Sequence, residues 1–330
     1  MKLSNLAAAI VLGSLAFSAI TAPTARAQGT LKNSTVKVDL RPKWKAGQET
    51  RLKLDMDSSG KQNTPAAGES PVMQMTMNAV LRFKCKDANP ETGSTLEAGF
   101  ESVKMSVKSP LGNMDFDSTA NDPDNPLKSM FDSPMTVKMD AAGNISSVDG
   151  DASGMALMGG GDAMKQMFQK MLGPVTSNKK DSGQHAIGES WTDDSVVGGL
   201  GGAGIHMTMT NTLKSLMGQM ATIDVKGAVT MDASAADQGI SIKDSSIAGE
   251  YKVNTEDGQI ESGQMRTHLA IEQKQDKAAP TRTSQDMTMK ITRVRGGAPD
   301  PKGDPKPGAT PPGNDPKTVS PKDWGQPKNR

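Results

Sequence analysis

The thirteen residues MQMTMNAVLRFKC (73–85) alternate between apolar and polar side chains along their whole length. Every odd-numbered position is apolar, and five of the six even-numbered positions are polar, the exception being Val80. Because neighbouring side chains of a strand point to opposite faces of a sheet, this pattern predicts a strand with one buried and one solvated face. At about 3.3 Å per residue the strand would be roughly 40 Å long, far beyond the usual strand.

The same alternation recurs along the chain on both sides of this stretch. A one-residue shift in phase between Phe100 and Val103 predicts a β-bulge, and glycines within 140–145 and 256–260 predict two hairpins. We therefore expect a mainly β fold of roughly ten to twelve long antiparallel strands, arranged as a curved sheet, a half-barrel or a sandwich. The other alternating runs are 36–40, 51–56, 96–107, 135–148, 205–209, 223–231, 240–242, 251–253, 269–271 and 287–291.

One segment has the period of a helix instead of a strand. The spacing of its apolar residues predicts a short amphipathic helix over 162–172, with Asp162 as the N-cap and Gly173-Pro174 as the stop. The residues of its apolar stripe are Met164, Met167, Phe168, Met171 and Leu172.

The regions before and after this helix share a series of landmarks, which suggests two related halves, 35–150 and 186–296. A duplication would explain the match, and so would the coincidence of common β-sheet sequence patterns. The paired landmarks are Trp44–Gly47 with Gly188–Trp191, Gly93 with Gly218, and Gly143 with Gly258.

The first 27 residues have the pattern of a secretory signal peptide. Lys2 precedes an apolar run from Leu6 to Ile20, and Ala25-Arg26-Ala27 has small residues where a signal peptidase cuts. The alternative, a membrane anchor, is disfavoured because the run is shorter than the ~20 residues that span a bilayer. No later stretch is apolar enough to span, so we expect a periplasmic or extracellular protein with no transmembrane segment after cleavage.

The last segment, 297–330, contains nine prolines in 34 residues and almost no apolar side chains. Such a composition cannot bury enough surface to offset the entropy of ordering, so it predicts a disordered tail. An alternative interpretation is a tether to a partner in the cell envelope. The main β-rich domain would then occupy 28–296.

Composition excludes several classes of function. Lys and Arg total 38 against 37 Asp and Glu, which argues against a nucleic-acid binder. A single Cys excludes disulfide frameworks and multi-cysteine metal sites, and three His leave little for catalysis. The run GLGGAG (199–204) matches a dinucleotide fingerprint in letters, but a predicted strand follows it where a helix is required. We expect no enzyme activity and no cofactor.

The 23 methionines allow two interpretations. Thioethers are soft ligands suited to copper(I), and Met-x-Met occurs at 73–77, 207–209 and 287–289. Each pair would lie on the apolar face of its strand, where methionine also fills irregular gaps in a core. Core packing is the simpler interpretation, and copper(I) binding is kept as a further hypothesis.

These observations favour an exported, non-enzymatic β-rich protein that binds a lipid or another apolar ligand, with the helix as a movable cover. The alternative is a structural or interaction protein of the cell envelope that uses its Pro-rich tail. The candidate ligand-facing residues are Met73, Met75, Met77, Leu81, Phe83, Met164, Met167, Phe168 and Met171.

Three short stretches resemble an uncharacterised family of secreted bacterial β-rich proteins. They are LRPKWKAGQE (40–49), GESW (188–191) and the hairpin 249–260, and the resemblance covers about 35–295. It implies a β-rich fold and no assigned activity. The long one-sided strands with one helix are also similar in shape to periplasmic lipoprotein carriers of the half-barrel type, although shape does not assign function.

Overall fold

A computed structural model describes residues 36–64, 68–110, 112–120, 133–150, 165, 168, 169, 171, 172, 183–200, 203–275 and 278–295. The predicted signal peptide 1–27 and tail 297–330 lie outside the described residues. So do Asp162, Met164 and Met167 of the predicted helix and its stop at Gly173-Pro174.

The chain forms fourteen strands in the described residues. The first seven are β1 (Lys37–Asp39), β2 (Glu49–Thr64), β3 (Gly68–Asn89), β4 (Gly93–Ser109), β5 (Gly112–Asp117), β6 (Met135–Met139) and β7 (Ile145–Asp149). The second seven are β8 (Gln184–Ala186), β9 (Ser190–Leu200), β10 (Ala203–Met217), β11 (Met220–Met231), β12 (Ile240–Asn254), β13 (Gln259–Gln275) and β14 (Ala278–Val294).

Twelve of these strands form one curved, open, antiparallel sheet, as the alternating sequence predicts. The order is β7-β6-β4-β3-β2-β14-β13-β12-β11-β10-β9, and β5 pairs with the remaining length of β4. Each half of the chain therefore supplies six neighbouring strands, and β2 and β14 join the halves at the middle of the sheet. The short strands β1 and β8 form a separate antiparallel pair.

Strand β3 is 22 residues long and contains the whole of the alternating stretch 73–85. Its pairing with β4 shifts by one residue, since Val80 lies opposite Ser102 and Leu81 lies opposite Phe100. Glu101 is thus the additional residue of a β-bulge, which confirms the prediction from the phase shift. Its carboxylate accepts a hydrogen bond from Arg51 Nε on β2 at 2.9 Å.

Both predicted hairpins are confirmed. Gly143 connects β6 to β7 and Gly258 connects β12 to β13, with φ of 87° and 66°. Glycine adopts these left-handed conformations without the steric cost that a Cβ atom brings. The glycine run 199–204 is followed by β10, as expected, and not by the helix that a dinucleotide site requires.

The turns that lead into β2 and β9 have matching hydrogen bonds. Gly47 N–H donates to the carbonyl of Cys85 at 2.9 Å, and Gly188 N–H donates to that of Leu213 at 2.7 Å. In the first turn the side chain of Gln48 accepts from the Lys45 N–H.

At the equivalent place in the second turn, Glu189 accepts from the Ala186 N–H at 2.8 Å. This hydrogen bond from the backbone lowers the pKa of the Glu189 carboxyl below its ordinary value. A duplication of the two halves would explain why the two turns have equivalent hydrogen bonds. The duplication itself stays a prediction.

Two helical segments are present in the described residues. Lys165, Phe168, Gln169, Met171 and Leu172 are helical, in agreement with the predicted period, and we call them the Phe168 helix. The second segment, Ala233–Asp237, lies between β11 and β12 and was not predicted from the sequence. No helix within the described ranges has the length and apolar character needed to cross a bilayer.

Candidate apolar binding face

One face of the sheet carries the hydrophobic core, because alternation sends the apolar side chains of every long strand to the same side. On β3 the residues Ala79, Leu81, Phe83 and Cys85 are each at most 2% exposed. We call this side the apolar face and the opposite side the polar face. Burial of this face is the main contribution to the stability of the sheet, since apolar burial dominates folding.

The Phe168 helix covers part of the apolar face. Phe168 is fully buried and meets Phe83 edge to face, with ring centroids 5.7 Å apart and planes at 86°. Gln169 Oε1 accepts a hydrogen bond from the Ile145 N–H at 2.6 Å, and Lys165 Nζ donates to the carbonyl of Ser146 at 3.2 Å. These contacts hold the helix against β3 and β7, as a cover for the first half of the sheet.

This cover does not seal the whole length of the strands. On β3 the apolar-face residues Ala79, Leu81, Phe83 and Cys85 are buried. The earlier residues of the same face, Met73, Met75 and Met77, are only partly buried. On β4 the buried Val103 is likewise followed by the partly buried Met105, and on β5 the buried Phe116 is close to Met114, which is 46% exposed. We call these residues the methionine patch: Met56, Met73, Met75, Met77, Met105 and Met114.

The strand register brings methionines from five neighbouring strands into one line. Met105 lies directly opposite Met77, Met77 opposite Met56, Met56 opposite Met289, and Met289 opposite Met265. We call these five residues the methionine row. Directly opposite side chains of a sheet have Cβ atoms about 4.5–5.5 Å apart, so each thioether is within contact distance of the next.

At the buried end of the row, the hydroxyl of Tyr251 donates a hydrogen bond to Met265 Sδ at 3.1 Å. Burial raises the pKa of the Tyr251 hydroxyl, which keeps it protonated and able to donate. Burial also raises the pKa of the Cys85 thiol, whose Sγ donates to the carbonyl of Asp87 at 3.3 Å. Cys85 is thus buried, as its position in the alternation predicts, and is held as a neutral thiol.

The apolar face also contains buried polar side chains close to the methionine patch. Gln285 is 4% exposed, and its Nε2 donates to Ser58 Oγ at 3.0 Å. Its Oε1 is buried and has no hydrogen-bond partner within the described part of the chain. Gln285 lies directly opposite Gly60 of β2, and Gly60 lies opposite Met73 of β3, so only a residue without a side chain separates Gln285 from the patch. Gln285 therefore offers a hydrogen-bond acceptor at the border of the patch.

The polar face contains an open cavity of about 420 Å³ between β3, β4 and β5. Alternation places six of its nine lining residues on the polar face, and its charges are paired, with Lys104 Nζ 3.4 Å from Asp117 Oδ2. The cavity opens on the polar face and the methionine patch lies on the apolar face of the same strands, with Met105 bordering both. We give more weight to the patch, because ligand sites are mostly apolar with a few placed polar groups. The lining residues are Thr76, Asn78, Lys104, Met105, Ser106, Asp115, Phe116, Asp117 and Ala120.

The histidines lie apart from the methionine patch. His206 pairs with Asp232, and His268 Nδ1 lies 2.8 Å from Asp286 Oδ1, both on the partly exposed polar face, as alternation predicts. His185 is buried and stacks on Trp191 with ring centroids 3.7 Å apart. Within the described ranges, no cluster of three His, Cys, Asp or Glu side chains could hold a metal ion.

The structure divides the predicted ligand-facing residues into two groups. Leu81 and Phe83 of β3 and Phe168 and Met171 of the Phe168 helix are closed to solvent, and Phe83 packs directly on Phe168. Met73, Met75 and Met77 lie on the open continuation of the same face. Met164 and Met167 lie outside the described residues, so their placement stays a prediction.

Sequence reasoning did not identify Met56, Met105, Met114 or Gln285 as part of this site. Met56 and Met105 lie in recognised alternating runs, but only the strand register shows that they lie beside Met77.

Comparison with known families places the chain among proteins of unassigned activity. It belongs to the family of unknown function DUF6263, whose sequence model matches residues 91–180 and again 153–260, together more than half of the chain. This confirms the resemblance to an uncharacterised family. No curated protein matches the chain.

Three solved structures illustrate how distant the structural likenesses are. A structure of lipovitellin, described by its lipid–protein interactions, shares 10% identity at a TM-score of 0.45, over 76% of this chain and 25% of that one. An outer membrane channel from Pseudomonas putida F1 shares 8% identity at a TM-score of 0.23, over 77% of this chain and 97% of the channel. DynF from the dynemicin biosynthesis pathway of Micromonospora chersina shares 8% identity at a TM-score of 0.20, over 79% of this chain and 92% of DynF. The chain thus spans a quarter of the lipovitellin chain, and at these scores none of the likenesses carries a functional argument.

Proposed function

We propose that this protein is an exported, non-enzymatic binding protein for an amphiphilic lipid, which it holds with an acyl chain against the methionine patch. One observation carries the proposal: along β3, β4 and β5 the apolar face passes from side chains that are closed to solvent to a contiguous group of methionines that are not. Six methionines there are only partly buried or exposed. A contiguous exposed apolar patch marks an interaction site more often than scattered apolar residues do.

The energetics favour a ligand at this position. Full burial of a methionine side chain contributes about 1.5–3 kcal/mol, so covering several partly exposed ones supplies a useful fraction of a binding free energy. Methionine is unbranched and flexible, and its thioether is polarisable, so a surface made of it adapts to acyl chains of different shape. This fits a binding protein that accepts a class of apolar ligands.

A polar contact at the border of the patch narrows the ligand class. The buried Oε1 of Gln285 is an acceptor, so the proposed ligand has a donor near its apolar part, such as a hydroxyl, an amide or a protonated carboxyl. Leaving a buried acceptor without a partner costs about 1–3 kcal/mol, which such a donor would recover. We therefore propose a hydroxylated or carboxylic amphiphile, and not a pure hydrocarbon.

The proposed location and the absence of catalysis rest on the sequence. The segment 1–27 has the pattern of an export signal, and a lipid-binding protein outside the cytoplasm would act as a carrier or receptor for envelope lipids. The sequence pattern offers no nucleophile motif with its base, and three histidines in unrelated contexts favour binding over chemistry.

A charge placed in the methionine patch should weaken lipid binding. We expect Met75→Asp to weaken binding of a fluorescent fatty acid to the delipidated full chain by at least tenfold, because an acyl chain would have to lie against a carboxylate. The measurement is a fluorescence titration, with far-UV circular dichroism to confirm that the variant is folded.

Met217→Asp is the matched control, because Met217 is 77% exposed at the hairpin between β10 and β11, away from the patch. It should bind like the parent. The proposal is wrong when the delipidated parent binds no fatty acid, or when Met75→Asp binds as well as Met217→Asp.

A further inference from the structure

The methionine row contains three partly exposed thioethers on three adjacent strands. Met56, Met77 and Met105 lie directly opposite one another on β2, β3 and β4. From this geometry we propose a second ligand for the protein: a copper(I) ion held by the thioethers of these three residues. The inference does not depend on lipid binding, because it uses the sulfur atoms and not the apolar volume of the side chains.

Thioethers are neutral, soft ligands that favour copper(I) over harder cations. Cross-strand neighbours have Cβ atoms about 4.5–5.5 Å apart, and three rotatable bonds let the two outer side chains bring their sulfurs together above Met77. The side chains of Met56, Met77 and Met105 are partly exposed, so an incoming ion can reach this part of the row, whereas Met289 and Met265 are 5% and 1% exposed.

The surroundings favour this part of the row. The sulfur of Met265 already accepts the hydroxyl of Tyr251, so it is a poorer ligand. The described residues contain no three-member cluster of His, Cys, Asp and Glu side chains that could compete for the ion. A site made only of thioethers would take copper(I) and its soft analogue silver(I), and would leave zinc and calcium in solution.

The chain provides its own control. Met207 and Met209 have the same Met-x-Met spacing and lie buried on the same face. Their directly paired neighbours are Val229 and Gly227 on β11 and Ser195 and Asp193 on β9, so these two methionines lie outside any cross-strand row. Copper(I) affinity that depends on the methionine row should therefore disappear when Met56, Met77 and Met105 are replaced, and persist when Met207 and Met209 are replaced.

The experiment is a competition titration of the delipidated full chain against a chromogenic copper(I) chelator, without oxygen. The parent should bind one copper(I) per chain. The variant M56L/M77L/M105L should bind at least tenfold more weakly, while M207L/M209L should keep the parent affinity. Leucine preserves the apolar volume, so both variants should keep the fold, which far-UV circular dichroism checks.

Three outcomes would overturn the assignment: no binding by the parent, unchanged affinity in the triple variant, or equal loss in the two variants. The failure of this proposal is separable from that of lipid binding. A parent that binds fatty acid but no copper(I) overturns only this proposal, and a parent that binds copper(I) but no fatty acid overturns only the proposed function.

Discussion

Phe168→Asp is expected to release the Phe168 helix from the sheet and to raise the binding of an apolar dye severalfold. Phe168 is fully buried against Phe83, and burying an unpaired carboxylate costs several kcal/mol. Because the carboxylate would face the Phe83 ring with no partner, the helix should leave its site and expose Phe83. The strands pair with one another without the helix, so the far-UV circular dichroism should remain that of a β protein.

Lys165→Ala is the control on the same helix. Lys165 is only partly buried, and its Nζ donates a hydrogen bond to the carbonyl of Ser146 at 3.2 Å. Its loss should change dye binding little. Cooperative unfolding of Phe168→Asp would instead show that the helix is an integral part of the core, and the idea of a movable cover would have to be abandoned.

Gly258→Ala is expected to lower the free energy of unfolding by several kcal/mol. Gly258 has φ of 66°, and a Cβ atom there would overlap the backbone carbonyl of Arg41. The left-handed conformation alone costs a non-glycine residue about 1–2 kcal/mol. The overlap adds to this cost, because the backbone at 41–42 has to move away from the hairpin that it contacts through the hydrogen bond from Lys43 to Asp257.

Gly218→Ala separates these two contributions. Gly218 has a similar φ of 59°, but a Cβ atom there would meet nothing within 4 Å. Urea unfolding should therefore show a loss of about 1–2 kcal/mol for Gly218→Ala, from the backbone alone, and a clearly larger loss for Gly258→Ala. Equal losses would contradict the packing of the segment 41–42 on this hairpin.

The faces of the sheet could be predicted from the sequence because they depend only on local alternation. Met73 to Cys85 show which side of β3 is buried, and the phase shift after Phe100 locates the bulge. Both are properties of a single strand. The predicted helix likewise follows from the spacing of Phe168, Met171 and Leu172.

The candidate site could be predicted only in part, because it depends on which strands become neighbours. Met56 and Met289 lie opposite each other although most of the chain separates them. Periodicity within one strand contains no information on this pairing. It arises because β2 and β14 pair with each other and so join the two halves of the sheet. Gln285, in contrast, could have been found, since it shares the parity of Met287, Met289 and Ile291 and so falls on the apolar face.

How much of the apolar face the Phe168 helix covers also could not be predicted from the sequence. Alternation assigns the same apolar face to Met73 and to Phe83, yet the first is partly exposed and the second is fully buried. The difference arises from where the Phe168 helix packs, which its own spacing does not specify. The open end of the face, and with it the proposed binding site, is therefore a result of tertiary packing.

The most direct test of lipid binding is native mass spectrometry of the full chain purified from its own host without detergent. We expect a species heavier than the polypeptide by one amphiphilic lipid, which is lost on denaturation and is depleted in Met75→Asp. Only the bare polypeptide mass, together with no uptake of lipid from host envelope extracts by the delipidated chain, would contradict it.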